Sequence, residues 1–303
     1  MSFISFKTLG QNDVTTSRTM LHEAIPITGT LVSGTYNATQ HSDNIHRESN
    51  IKTFSHGMFQ SVYDYPYVSS SANHIFDISY GHHETHSAAA ETTVQASKKL
   101  NVYNQMAQIL VGYDLEGNVK RFDRTPTAGE DDGSGIFKAC YFFTFSRLLV
   151  KDEIKKGSFE MKIGIGETHA DPFSTVMTLS DADSAENYRS SSPAGEFGFI
   201  KASDGVIYGL IYYQAGIVAL RGGSGGFFTS MAQLNGSDPA QEPDLQLSAG
   251  LQGDTQSARY HSIDETADAL RHRIQNIKFN NTTELNSTIY FCRANTNDFN
   301  YSS

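Results

Sequence analysis

Tryptophan is absent from the 303 residues, and cysteine occurs only as Cys140 and Cys292. Two cysteines exclude a disulfide-stapled scaffold. Cys140 lies in Ala-Cys-Tyr-Phe-Phe and Cys292 in Tyr-Phe-Cys-Arg, settings that favour buried free thiols acting as small apolar fillers. Charged side chains are scarce, at 18%, against roughly 25% in an average soluble domain. The basic sign is the scarcer one: 23 Lys and Arg face 33 Asp and Glu, a net charge of −10. Without a basic surplus, phosphates go unneutralised, which argues against nucleic acid as the main partner. The same deficit argues against an anionic membrane surface. Long hydrophobic runs are also missing. The longest uncharged apolar stretch, residues 205–220, carries Gly205, Gly209 and Gly216 and is shorter than the roughly 20 residues of a membrane helix. The first residues lack the basic region and apolar run of a secretory signal. The expectation is a soluble protein made in a reducing cytoplasm, with accidental glycosylation triplets at Asn235, Asn281 and Asn286.

What the chain has is 19 Phe and 15 Tyr, too much burial energy to leave in water, so disorder of the whole chain is excluded. Periodicity is weak in the first ninety residues, where Pro26, Gly29, Gly34 and residues 37–50 read as turns and loops. Phe54, Met58, Val62 and Tyr65 fall near helical spacing, and Pro66 would end that helix. Residues 74–80 suggest a strand. The clearest helix spans about 91–111, with an apolar stripe of Val94, Leu100, Tyr103, Met106, Ala107 and Leu110, stopped by Gly112. Residues 136–145 read as a buried aromatic strand and 147–156 as a short helix closed by Gly157. Beyond it, Phe159, Met161, Ile163 and Ile165 alternate with polar residues and glycine, the period of a strand. Residues 174–179 repeat this briefly. Residues 206–213 and 217–220 flank Gln214-Ala215-Gly216 as a hairpin would. A short helix is expected at 264–273 and a strand at 285–292. The fold class is therefore α+β: a β-rich domain with a few helices, long loops and an irregular N-terminal region. Its expected parts are a loop-rich or extended arm at 1–50, a mixed helix and strand region at 51–156, and a mainly β region at 157–303.

Motifs for chemistry are few. Gly81-His82-His83-Glu84-Thr85-His86 gathers three imidazoles and a carboxylate, so His82, His83 and His86 are candidate ligands for zinc or another divalent metal. The bland alternative is an exposed polar turn, since no second Cys or His pair supplies the separated ligands of a structural site. The His-Glu-x-x-His protease pattern fails because Ser87 stands where its second histidine belongs. The loop Gly222-Gly223-Ser224-Gly225-Gly226 runs into Phe227-Phe228 rather than the Lys of a phosphate loop. The acidic clusters Glu130-Asp131-Asp132 and 181–186 miss the calcium-loop spacing and read as solvated. No Gly-x-Ser-x-Gly elbow occurs, and the apolar setting of Cys140 raises its pKa, the opposite of a reactive thiol's need. No catalytic residue and no cofactor is expected.

Several segments together resemble a known class: IKTFSHGMFQSVYDYPY at 51–67, SSSANHIFDI at 69–78, VYNQMAQI at 102–109, RLLVKDEIKKG at 147–157, GLIYYQAGIV at 209–218 and STIYFCRA at 287–294. This set is similar to virion structural proteins of contractile-tailed bacteriophages, especially those infecting marine cyanobacteria. The resemblance implies a particle component, in the tail or baseplate, whose partners are other virion structural proteins and copies of itself. A neck or collar station is an alternative. So is a receptor- or glycan-binding module in which Tyr63, Tyr65 and Tyr67 stack on sugar rings.

Overall fold

The seven residues Ala139–Phe145 are buried almost throughout and make a strand with a partner on each side. The computed structural model describes residues 8–33, 39–40, 46–86, 89, 93–124, 135–165, 173–222 and 262–292. In chain order its elements are β1 (Val14–Thr28), α1 (Gly29–Ser33), β2 (Thr39–Gln40), β3 (His46–Arg47), β4 (Ile51–Thr53), β5 (Gln60–Tyr63), β6 (His74–His82), α2 (Val94–Leu110) and β7 (Ala139–Phe145). There follow α3 (Arg147–Val150), β8 (Glu153–Ile154), β9 (Glu160–Gly164), β10 (Val176–Ser180), β11 (Arg189–Ser192), β12 (Gly195–Lys201), β13 (Ile207–Tyr212), β14 (Ile217–Gly222), α4 (Ile263–Arg271) and β15 (Ile274–Tyr290).

One antiparallel sheet carries all but β2 and β3, in the order β1-β15-β9-β10-β12-β13-β14-β7-β6-β5-β4, with β11 beside β12 and β8 beside β15. It curls into a half-barrel. The β-rich expectation holds, with too few helices for α+β to be more than a loose description. Between β10 and β12 the ladder thins to the single pair Ser180↔Lys201. The core lies where β6, β7, β13 and β14 run side by side, filled by Phe76, Ile78, Tyr80, Phe142, Phe143 and Leu220.

The helix expected at 91–111 is α2. Thr93 caps it by accepting the Ala96 N–H at 3.2 Å, and Gly112 ends it at φ +89°, donating its N–H to the Ala107 carbonyl. The helix sits so close to β6 that a Cβ on Gly81 would lie 2.7 Å from the Lys99 carbonyl oxygen and from the Tyr103 nitrogen. Tyr103 is buried; its hydroxyl donates to the Phe137 carbonyl (2.8 Å) and accepts from the Phe122 N–H (3.2 Å).

Four expectations are corrected. Residues 53–67 form no helix. Val62 pairs with Ile51 on one side and Phe76 on the other, so cross-strand partners override the helical spacing. Residues 147–156 give one helical turn. Lys151, at φ +60°, breaks it, and β8 then joins β15. Pro26, expected in a turn, lies inside the continuous strand 14–28, each residue of which finds a partner on β15, within the stretch expected as a loop-rich or extended arm. Cys140 is buried as expected, but Cys292 is exposed. Residues 130–132 and 223–226 lie outside the described residues.

Candidate functional site

The histidine segment begins at the end of β6. His82 stands opposite Ala139 on β7 and is fully buried. A turn follows, closed by the His86 N–H on the His83 carbonyl at 3.0 Å, and it folds the buried His86 ring back onto His82 with centroids 5.3 Å apart. His83 turns elsewhere. It packs edge-on against Tyr103, and its Nδ1 meets the Thr85 hydroxyl at 3.0 Å. The sequence trio is thus split into a buried stacked pair and a half-buried third ring. Among the described residues, no three His, Cys, Asp or Glu side chains converge as a metal site requires. Burial, helped by the neighbouring His86 and Lys99 charges, pushes the His82 pKa down to about 4. Burial and Arg121 also lower that of His83.

Two other polar clusters hold the fold. Asp181, expected to be solvated, is buried. Its carboxylate accepts the Gly157 N–H (2.9 Å), the Phe159 N–H (2.8 Å) and the Tyr213 hydroxyl (2.9 Å), beside the thin part of the sheet. The second cluster centres on Arg271 of α4. Its guanidinium donates to the Val32 carbonyl in α1 (2.8 Å) and to Glu48 ahead of β4 (2.9 Å), and it pairs with Asp268. His272 adds a contact to Glu48 at 3.1 Å. Because α1 follows β1 and Glu48 precedes β4, this arginine links the two opposite margins of the curled sheet. Burial raises the Glu48 pKa, but the His272 hydrogen bond and the Arg271 charge outweigh it and hold it below the usual carboxylate value.

The third feature faces outward. β15 is flanked on its second side by β9 only up to Lys278 and by β8 only at Asn281 and Thr282. Beyond Thr282, β1 and β15 continue in unbroken register from Leu21↔Thr283 to Val14↔Tyr290, with no third strand beside them among the described residues. Eight residues per strand at about 3.3 Å each make a two-stranded arm on the order of 26 Å long. Thr15, Thr16, Thr19, Thr283, Thr288 and Ile289 are β-branched residues that favour an extended chain.

The arm has two faces. On one, Arg18 pairs with Glu284, which also accepts a hydrogen bond from Asn286 at 2.8 Å, so the charges cancel locally. The other face continues the side on which Ile27, Ile277 and Phe279 enter the core. There Thr15, Ser17, Thr19 and Leu21 lie across from Ile289, Ser287, Leu285 and Thr283, without a charge. Leu21, Leu285 and Ile289 are 51%, 47% and 49% exposed. A ribbon of two strands is marginal in water unless a further strand or surface covers it. The arm is therefore the strongest candidate for an interaction site. The strand expected at 285–292 and the extended or loop-rich arm expected at 1–50 contain its two halves, but their pairing went unseen because the apolar residues are sparse and threonine dominates. The paired uncharged runs 14–17 and 285–291 were the available signal.

Tyr65 and Tyr67 are exposed on a separate turn, with Tyr67 tilted on Tyr63 at 6.4 Å. Among the described residues, no helix is long and apolar enough to cross a membrane. Compared with protein-family models, curated proteins and solved structures, the chain matches none.

Proposed function

We propose that the chain is a structural subunit of a bacteriophage virion, in the tail or baseplate, which builds the particle through contacts with other virion proteins and with copies of itself. The observation that carries this reading is the two-stranded arm, which extends an uncharged, partly apolar sheet face past the other strands, with nothing among the described residues pairing with its outer edge. Assembly proteins use such elements because ordering and covering them at a neighbour's surface supplies what the isolated ribbon lacks. The sequence resemblance to tail-phage virion proteins supports the same reading. In this role the chain is made in the host cytoplasm, ends in the virion, and works without catalytic chemistry or a cofactor. The buried polar clusters fit that role, since Asp181 and Arg271 spend their hydrogen bonds on backbone groups and neighbouring side chains.

Mass spectrometry of purified particles tests this proposal. The chain should be recovered at a fixed ratio to the other tail proteins. Its absence from particles made by a phage that encodes it would refute the assignment.

A further inference from the structure

We infer that the arm of one chain pairs with the arm of a second copy, edge to edge along β1, about a two-fold axis passing through Ser17. This rests on the assembly role proposed above and adds the partner and the register.

The outer edge of β1 is the first margin of the sheet, with no strand beyond it among the described residues. The Phe291 N–H donates to the Asp13 carbonyl at 2.8 Å, which makes Val14 and Tyr290 a pair whose own N–H and C=O point away from each other. The register runs on unbroken, so Val14, Thr16, Arg18 and Met20 aim their backbone groups at the free edge. The same alternation reaches Pro26, which has no N–H to offer, so strand addition stops at the root of the arm. The β15 edge is less available, because Asp152 already caps the Glu284 N–H at 2.7 Å.

A second copy suits this edge because β1 is nearly palindromic in character about Ser17. Val14 and Met20 are apolar, and Thr15 matches Thr19. Antiparallel pairing about Ser17 sets Val14 against Met20 and Thr16 against Arg18 of the other copy, about eight backbone hydrogen bonds by symmetry. No like charges stand directly opposite, and each Arg18 is paired with Glu284 of its own chain. Centring on Arg18 instead would oppose two guanidinium groups, which is destabilising. Centring nearer the root would draw together two bodies that each carry −10. The product is a four-stranded ribbon with one continuous uncharged face, above the strand number at which a sheet becomes stable. The contact is isologous, as a two-fold requires.

In this register Ser17 faces itself in a pair that exchanges no hydrogen bonds, where Cα atoms lie about 4.5 Å apart, within disulfide range. The test is a Ser17→Cys variant of the full chain in a Cys292→Ser background, oxidised mildly and run on a non-reducing gel. A covalent dimer is expected. Thr15→Cys in the same background should stay monomeric, because its mate is Thr19, while the Thr15→Cys/Thr19→Cys double variant should cross-link. Thr16→Pro removes an outward N–H and should convert dimer to monomer in sedimentation while the far-UV circular dichroism of the folded body is retained. Absence of cross-linking at Ser17, equal cross-linking at Thr15 and Ser17, or a Thr16→Pro variant that sediments like the parent would each overturn the inference. The virion assignment is judged separately: recovery of the chain from particles without a Ser17 cross-link removes the self-pairing and leaves that assignment standing.

Discussion

Replacing Arg271 by methionine should expose how the half-barrel is held shut. The substitution keeps an apolar stem but removes the cation from a site where Glu48 and Asp268 are each 3% exposed at the side chain. Breaking a buried ion pair from one side costs about 3–5 kcal/mol, because the remaining charges are left unpaired. With an unfolding entropy of about 2.1 cal/mol/K per residue, that is a fall in Tm of roughly 5–8 °C for a chain this size. Urea unfolding followed by circular dichroism and scanning calorimetry would measure both quantities. The pH dependence supplies a second check. In the parent the Glu48 pKa is held down, so its stabilising contribution is present above the unfolded carboxylate value and fades as pH falls through the folded one. In Arg271→Met that pKa rises, and a protonated Glu48 no longer needs a cation. The gap between the two proteins should therefore be widest near neutral pH and narrow in acid. A variant within about 0.5 kcal/mol of the parent at pH 7, or a gap that widens on acidification, would refute the clamp. Adding Glu48→Gln to Arg271→Met should recover part of the loss.

Three further outcomes are expected. His82 has a folded pKa of about 4 against an ordinary 6.5, so the unfolded chain takes up its proton first. Stability then falls as pH drops through that window, by on the order of 3 kcal/mol in total; His82→Gln should flatten this slope in denaturation midpoints, and an unchanged slope would contradict it. Gly81→Ala should cost about 1–3 kcal/mol, since its Cβ would press on the backbone of α2; equal urea midpoints for variant and parent would show that the helix yields freely. Asp181→Ala strands two backbone N–H groups and the Tyr213 hydroxyl, each worth about 1–3 kcal/mol when buried and unmet, and hydrogen exchange should quicken first at Gly157 and Phe159.

The parts of this fold that sequence made legible are those where one face of one element sets the pattern. The stripe of Tyr103, Ala107 and Leu110 with its glycine stop became α2, and the alternation around Met161 and Ile163 became β9. The hairpin at 206–220 became β13 and β14 because Gly216, at φ +66°, supplies the turn between them. Illegible parts depend on distant partners. Ser61 and Val62 are strand residues only because β4 and β6 flank them. β1 is a strand because residues 248 to 276 positions away match it one for one. In the histidine segment, spacing showed that three rings were near one another but not that Tyr103 would draw His83 aside. Arg271 and Glu48, separated by 223 positions, carry no local signal of their partnership.

A sheet this wide has two ends at which foreign strands can dock, and proteins made in bulk face that hazard while still crowded and unassembled. Here one end, β4, is three residues long, and the other carries Pro26 where the arm meets the body. Templated growth of fibrils needs a long uninterrupted border on both sides. Among the described residues, this sheet offers a short border on one side and, on the other, one interrupted by Pro26, which leaves the outer stretch of β1 as its longest open border.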